Sequence, residues 1–131
     1  YPQARRRLLD TFAERGLHDM LCLGGDVHRH VAADLRRRPG DPASAIVASE
    51  FVCSSVTSHG LSEAATALLR AGNSDIVHAR SDERGYALLE ITPAAAHCEF
   101  RATPFPARAD ARLHTQAAFA VAAGRAGVQR D

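Results

Sequence analysis

The chain has 131 residues, 46% of them hydrophobic and 24% charged, with 16 basic residues against 15 acidic ones for a formal net charge of +1. That is enough chain to bury one core, and the charge is too balanced to argue for nucleic acid or an anionic membrane as a partner. Cys22, Cys53 and Cys98 are odd in number and lack CxxC spacing, so they indicate neither a disulfide framework nor a zinc ribbon, and no apolar run reaches the roughly 18 residues of a membrane span.

Every basic residue other than histidine is an arginine, which reads as compositional bias. The opening residues, YPQARRRLLD, have neither a signal-peptide pattern nor a start methionine and read as the interior of a longer polypeptide.

Residues 3–16 carry a helical period. Ala4, Leu8 and Phe12 fall at i, i+4 and i+8 with Leu9 beside them, and Gly16 is placed to stop the helix. Residues 20–23 form a short apolar run that predicts a buried strand. Gly24 and Gly25 then suit a tight turn, since glycine accepts backbone angles other residues resist. Residues 30–35 suit a strand or a helix start. RRRPGDPAS, 36–44, predicts a solvated loop. AIVASEFVC, 45–53, predicts a strand covered on both faces, and SSVTSHG, 54–60, a polar turn-forming loop. A second helix is expected over 61–71, with Ser62 as N-cap, Ala65, Leu68 and Leu69 inward, and Gly72 at its end.

Residues 85–92 and 97–103 predict a hairpin joined by PAAA. Ala87, Leu89 and Ile91 alternate with Tyr86, Glu90 and Thr92, and Leu88 suggests that this second face is partly covered. Cys98, Phe100 and Ala102 alternate with His97, Glu99, Arg101 and Thr103. Residues 116–124 suit a final strand or a weak helix. The whole predicts an α/β fold with a mixed sheet and helices outside it, in one unit over 1–124 with a tail at 125–131.

The chemistry concentrates in LCLGGDVHRH, 21–30. Asp26 and His28 are two apart at the end of a strand, and residues two apart in extended backbone share a side. Such a pair can meet a cation, with carboxylate oxygen for hard ions and imidazole for iron or zinc. Equally, Asp26 can cap a turn and His28 can be an ordinary imidazole. His30 continues the same period. Ser58 and His59 lie in a loop that could meet an anion or close an ST-turn. His18, His78, His97 and His114 are scattered and read as structural or solvent-exposed. There is no GxSxG elbow to support a serine nucleophile and no GxxxxGK[ST] phosphate loop.

Taken together, LCLGGDVH, VASEFVCSSVTSHG, RGYALLEITP and CEFRATPF resemble, in order and spacing, the C-terminal part of the PhoD-like alkaline phosphatases. These are secreted metallophosphoesterases acting on phosphate monoesters and diesters. The resemblance implies the C-terminal half of a calcineurin-like four-layer α/β/β/α sandwich. It implies a centre of Fe3+ and Ca2+, a phosphate ester substrate, and a location in the periplasm or outside the cell.

Gly25-Asp26-Val27-His28 matches the family's Gly-Asp-x-His, which implies that Asp26 ligates calcium and His28 ligates iron. No catalytic residue is assigned beyond these ligands. Ser58, His59, Asn73, Arg84 and Tyr86 fall in or near recurrent family segments as candidates for contact with substrate or for supporting the ligands. Where family members carry Asn-Pro-His ahead of the Arg-Gly-Tyr, this chain reads Asn73, Ser74, Asp75. The family's upstream ligand motifs, an early Cys, an Asp followed by a Tyr, and an Asn-His-Asp stretch, do not occur here.

The chain is therefore expected to hold two ligands of a larger set and to be inactive alone, its partner being the missing N-terminal half of the domain. An uncovered apolar face would then favour dimers or aggregates. The alternative from a different class is a non-catalytic module that binds a metal or an anion, or pairs with another chain.

Overall fold

A computed structural model describes residues 1–106 and 108–131. The chain runs α1 (Pro2–Glu14), β1 (Leu21–Gly24), β2 (His30–Arg36), β3 (Ile46–Val52), α2 (Glu63–Ala71), β4 (Ile76–Arg80), β5 (Glu83–Ile91), β6 (Ala95–Pro104), β7 (His114–Ala122) and β8 (Gln129–Arg130). The strands make two four-stranded sheets, ordered β1-β3-β2-β4 and β5-β6-β7-β8. β1 runs parallel to β3, while β2 is antiparallel to both β3 and β4. The second sheet is an antiparallel meander.

The sheets pack face to face. Ala32 and Phe51 from the first meet Cys98, Phe100, Ala117, Phe119 and Val121 from the second. The alternation expected in residues 97–103 is present: Cys98, Phe100 and Ala102 are buried and their neighbours are not. The phenylalanines meet at angles, Phe100 to Phe119 at 5.8 Å between ring centroids and Phe51 to Phe100 at 6.3 Å. Such edge-on pairs add to plain burial. The other face of the first sheet is covered by α1, where Leu9 and Phe12 meet Leu35, Val47 and Ala48.

Several expectations need correction. In α1 the inward residues are Leu9 and Phe12, with Ala13 beside them, while Ala4 and Leu8 are exposed. In α2 Ser62 does cap, accepting from the Ala65 amide, but the buried residue is Thr66. Leu68 and Leu69 lie outward. Thr66 Oγ1 shares a hydrogen bond with Ser81 Oγ (2.9 Å), and Glu63 accepts from the Ser81 amide (2.8 Å). α2 is thus seated on the end of β4 by polar contacts rather than leucines. β1 is half-buried at the sheet edge, with Leu23 65% exposed, where the sequence predicted a buried strand. Leu88 is exposed, so the outer face of the second sheet is open there.

The arginine run is not uniformly solvated. Arg36 donates to Asp75 (2.9 Å) and to the Ser44 carbonyl (2.8 Å), and Arg37 reaches Asp10 (2.7 Å) and Glu14 (3.1 Å) on α1. Arg38 is the most exposed of the three, with Asp41 3.9 Å from its guanidinium. The 30–35 segment lies in β2, and 116–124 is strand as far as Ala122, in β7, which is not the last strand because β8 follows.

Residues 125–131 do more than trail. β8 pairs with β7. Just before it the Gly127 amide donates to Ser49 Oγ (3.0 Å) and the Val128 amide to Asp34 Oδ1 (2.8 Å). The segment therefore fastens the second sheet to the first.

Phe100 lies at the centre of this packing. Phe100→Ala is expected to destabilise the chain by about 3–5 kcal/mol through lost burial and the cavity left behind. Urea unfolding followed by circular dichroism measures it.

Candidate functional site

β1 ends at Gly24, and the chain reaches β2 through a five-residue connection. The glycines do not take the left-handed backbone. Asp26 (φ 70°) and His28 (φ 52°) do, with Val27 between them. Asp and His are among the few side chains that occupy this region with any frequency, and strain of this kind gathers at functional sites. The Val27 amide donates back to the Gly25 carbonyl at 2.9 Å, closing a three-residue turn around Asp26.

His28 is tied down from across the chain. Its Nδ1 lies 2.5 Å from the carbonyl oxygen of His59. A carbonyl only accepts, so Nδ1 carries the proton and Nε2 of the neutral ring keeps its lone pair. The loops are also pressed together at Gly60, where a Cβ would lie 2.5 Å from the His28 carbonyl. Asp26 is exposed. One carboxylate and one imidazole nitrogen are thus both open to an incoming cation. Oxygen and nitrogen donors of this kind suit a calcium and iron pair. They are too few to enclose one, and among the described residues no group of three or more His, Cys, Asp or Glu side chains gathers around a point.

The 54–60 loop is itself held by Arg84, which is 3% exposed. Arg84 Nε donates to the Ser58 carbonyl (2.6 Å), and Nη1 donates to the carbonyls of Ser81 (2.8 Å) and Glu83 (2.9 Å). Its guanidinium lies over the Phe105 ring at 4.3 Å, and the edge of that ring meets His59 at 4.8 Å. Ser55 Oγ donates to the same Ser58 carbonyl (2.7 Å). Next to Arg84, a Cβ on Gly85 would lie 1.9 Å from the Arg101 carbonyl, so the close β5–β6 pairing there demands glycine.

The structure therefore gathers Asp26, His28, Ser58, His59 and Arg84 at one end of the molecule. It sends three other candidates elsewhere. His30 is fully buried and stacks on Phe100 at 4.6 Å. The Ser54 amide donates to its Nδ1 (3.2 Å), which puts its own proton on Nε2, a buried atom with no hydrogen-bond partner among the described residues. Asn73 lies at the opposite end of the first sheet, where its Oδ1 accepts from the Asp75 amide (3.0 Å). It borders a groove with Arg5, Arg6, Arg37 and Arg38. Tyr86 is on the open face of the second sheet. Phe105 and Gly60 were not singled out by sequence; CEFRATPF and SVTSHG contain them, but no spacing links either to Asp26 or His28.

A protein-family model described as PhoD-like phosphatase matches residues 1–100. Alkaline phosphatase D of Bacillus subtilis (strain 168) is 29% identical over 136 residues, an alignment taking in 99% of this chain and 23% of that protein. A solved structure described as that of PhoD superposes with a TM-score of 0.84 at 25% identity, covering 99% of this chain and 25% of the other. The chain thus spans about a quarter of the length of these relatives.

The buried histidines make stability depend on pH. Burial, with help from the nearby charges of His78 and Arg84, pushes His30 down from 6.5 to about 4. Burial also lowers His78, against the opposing effect of its hydrogen bond to Gln116. Between these folded-state values and the ordinary value the unfolded chain binds more protons. The stability that neutral rings confer is therefore full above pH 6.5 and lost as pH falls toward 4. Urea midpoints are expected to drop between pH 7.5 and pH 5, and to drop less in His30→Leu.

Proposed function

The chain belongs to the PhoD-like phosphatase family, and from that membership we propose that it forms part of a metal-dependent phosphoesterase, to which it contributes Asp26 and His28 as ligands. The observation that carries the reading is the state of His28. Its Nδ1 is committed to the His59 carbonyl, which leaves Nε2 as the nitrogen with a lone pair to offer, and Asp26, two residues earlier in the same turn, is exposed. Ligating histidines are held in this manner, with the second ring nitrogen donating to a fixed acceptor.

In this reading Asp26 offers oxygen to calcium and His28 offers nitrogen to iron. Fe3+ and Ca2+, when bound, would supply positive charge to the phosphoryl oxygens and activate water for in-line displacement. Asp26 and His28 bind and orient; neither is a proton carrier. The His59 carbonyl fixes the ring of His28.

The stack of α1 and two sheets makes three layers of the α/β/β/α sandwich, and another segment supplies the fourth layer and the remaining ligands. The half-buried edge strand β1, with Leu23 exposed, supports this division. The substrate is a phosphate ester and the site of action lies outside the cytoplasm. Within the described residues no helix is long and apolar enough to cross a membrane.

The shortage of donors favours a second reading, a module that binds a metal or an anion, or pairs with another chain, without catalysing anything. Activity separates the two. In a full-length enzyme carrying this sequence, Asp26→Ala or His28→Ala is expected to cut p-nitrophenyl phosphate hydrolysis by about 100-fold or more, with thermal unfolding unchanged. Unaltered turnover in either variant overturns the assignment. The 131-residue chain alone is expected to show no hydrolysis above background.

A further inference from the structure

In this reading the 54–60 loop acts through the His59 carbonyl alone, and the Arg84-Gly85-Tyr86 stretch of β5 has no role. We propose that Arg84 is a positioning residue, which sets the tautomer and aim of the His28 ring by fixing the backbone of the 54–60 loop. The proposal rests on His28 being a ligand, and it explains why Nε2 rather than Nδ1 is the nitrogen on offer.

Either nitrogen of a neutral imidazole can carry the proton, and the acceptor it meets decides which. For His28 that acceptor is the carbonyl of His59. A backbone carbonyl selects a tautomer only if its own direction is fixed. Exposed loops do not fix it by themselves, and SSVTSHG has no regular pairing of its own.

Arg84 supplies the fixing from two sides of His59. Through Nε it holds the carbonyl of the preceding residue, Ser58. Through its flat face it rests on Phe105, whose ring in turn meets the His59 ring. Its Nη1 is anchored by the carbonyls of Ser81 and Glu83, so the guanidinium cannot swing away with the loop. Ser55 adds a second donor to the Ser58 carbonyl. Gly60 lets the held loop come against the His28 backbone, a contact that any side chain would block.

Arginine is suited to this as lysine is not. Three carbonyls and an aromatic face need a planar fork of donors, and a single ammonium cannot serve them together. No carboxylate pairs with Arg84 among the described residues; backbone carbonyls alone receive its donors.

The test reads the tautomer and not the reaction. Long-range proton–nitrogen correlation spectra of the 131-residue chain at pH 8 report which nitrogen of His28 is protonated. The wild-type chain is expected to favour Nδ1–H by about tenfold, the worth of one good hydrogen bond. Arg84→Lys keeps the buried charge and is expected to bring the two tautomers to comparable populations while the Phe100 resonances stay in place. Phe105→Leu, which removes the aromatic surface between the guanidinium and the His59 ring, is the milder second variant and is expected to shift the balance the same way.

An Nε2–H tautomer in the wild-type chain overturns the proposal at once. So does an unchanged Nδ1–H preference in a folded Arg84→Lys or Phe105→Leu chain. The metal content of a full-length enzyme carrying this sequence tests the underlying ligand reading separately. A fall in bound metal in Asp26→Ala and in His28→Ala supports it, and undiminished metal in both overturns that reading while leaving the tautomer result standing.

Discussion

The parallel pairing of β1 with β3 is the constraint on which the site depends. Parallel neighbours deliver their carboxyl ends to the same edge of a sheet. β1 releases the Asp26–His28 turn there, and β3 releases the 54–60 loop beside it. The register, with Gly24 opposite Val52, brings the two exits level. The Cys53 amide donates to the Gly24 carbonyl (2.9 Å) just past the last pair, so the two segments leave the sheet joined. The second sheet meets the same edge. β5 begins there and β6 ends there, with Arg84 opposite Thr103, and this places Arg84 and Phe105 behind the loop. Four chain segments, distant in sequence, converge because one pair of strands runs the same way.

The strand pattern was easier to read than the helix faces, and the reason is physical. β6 alternates buried and open residues because it has one sheet on one side and little on the other, so a period of two survives in the residues. The helices have no such clean partner. α2 sits on β4 through Thr66 and Glu63, and its leucines are left outward, so hydrophobicity pointed to the wrong face. β4 itself was missed. Five residues including a histidine and an arginine, IVHAR, give too short an alternation to stand out.

At the site, a period of two singled out Asp26 and His28, and the turn they occupy does not have that period. A period of two holds only in extended backbone, and both residues are left-handed. The projection to His30 failed for that reason: the chain enters β2 turned, and the third member of the apparent series goes into the inter-sheet core against Phe100. Arg84 and Phe105 carry no local signal of their roles. Their meeting with Ser58 and His59 is a product of β5–β6 pairing and of the packing of two sheets, neither of which leaves a spacing in the sequence. The arginine-only composition also hid three distinct uses of one side chain: Arg84 donates to backbone carbonyls, Arg36 to a buried carboxylate, and Arg38 lies exposed with Asp41 at the edge of ion-pair range.

The fastening of the sheets by Gly127 and Val128 bears on the order in which the fold can close. Their acceptors, Ser49 and Asp34, precede them by 78 and 94 positions. Contacts of that span close slowly, since much chain entropy is lost before any of it is returned. During synthesis at about 5–20 residues per second, the first sheet would be complete several seconds before its inner face could be latched. Until β6 and β7 have been made, Ala32 and Phe51 have no second sheet to meet, and the nascent chain presents an apolar surface that its own later residues are built to cover.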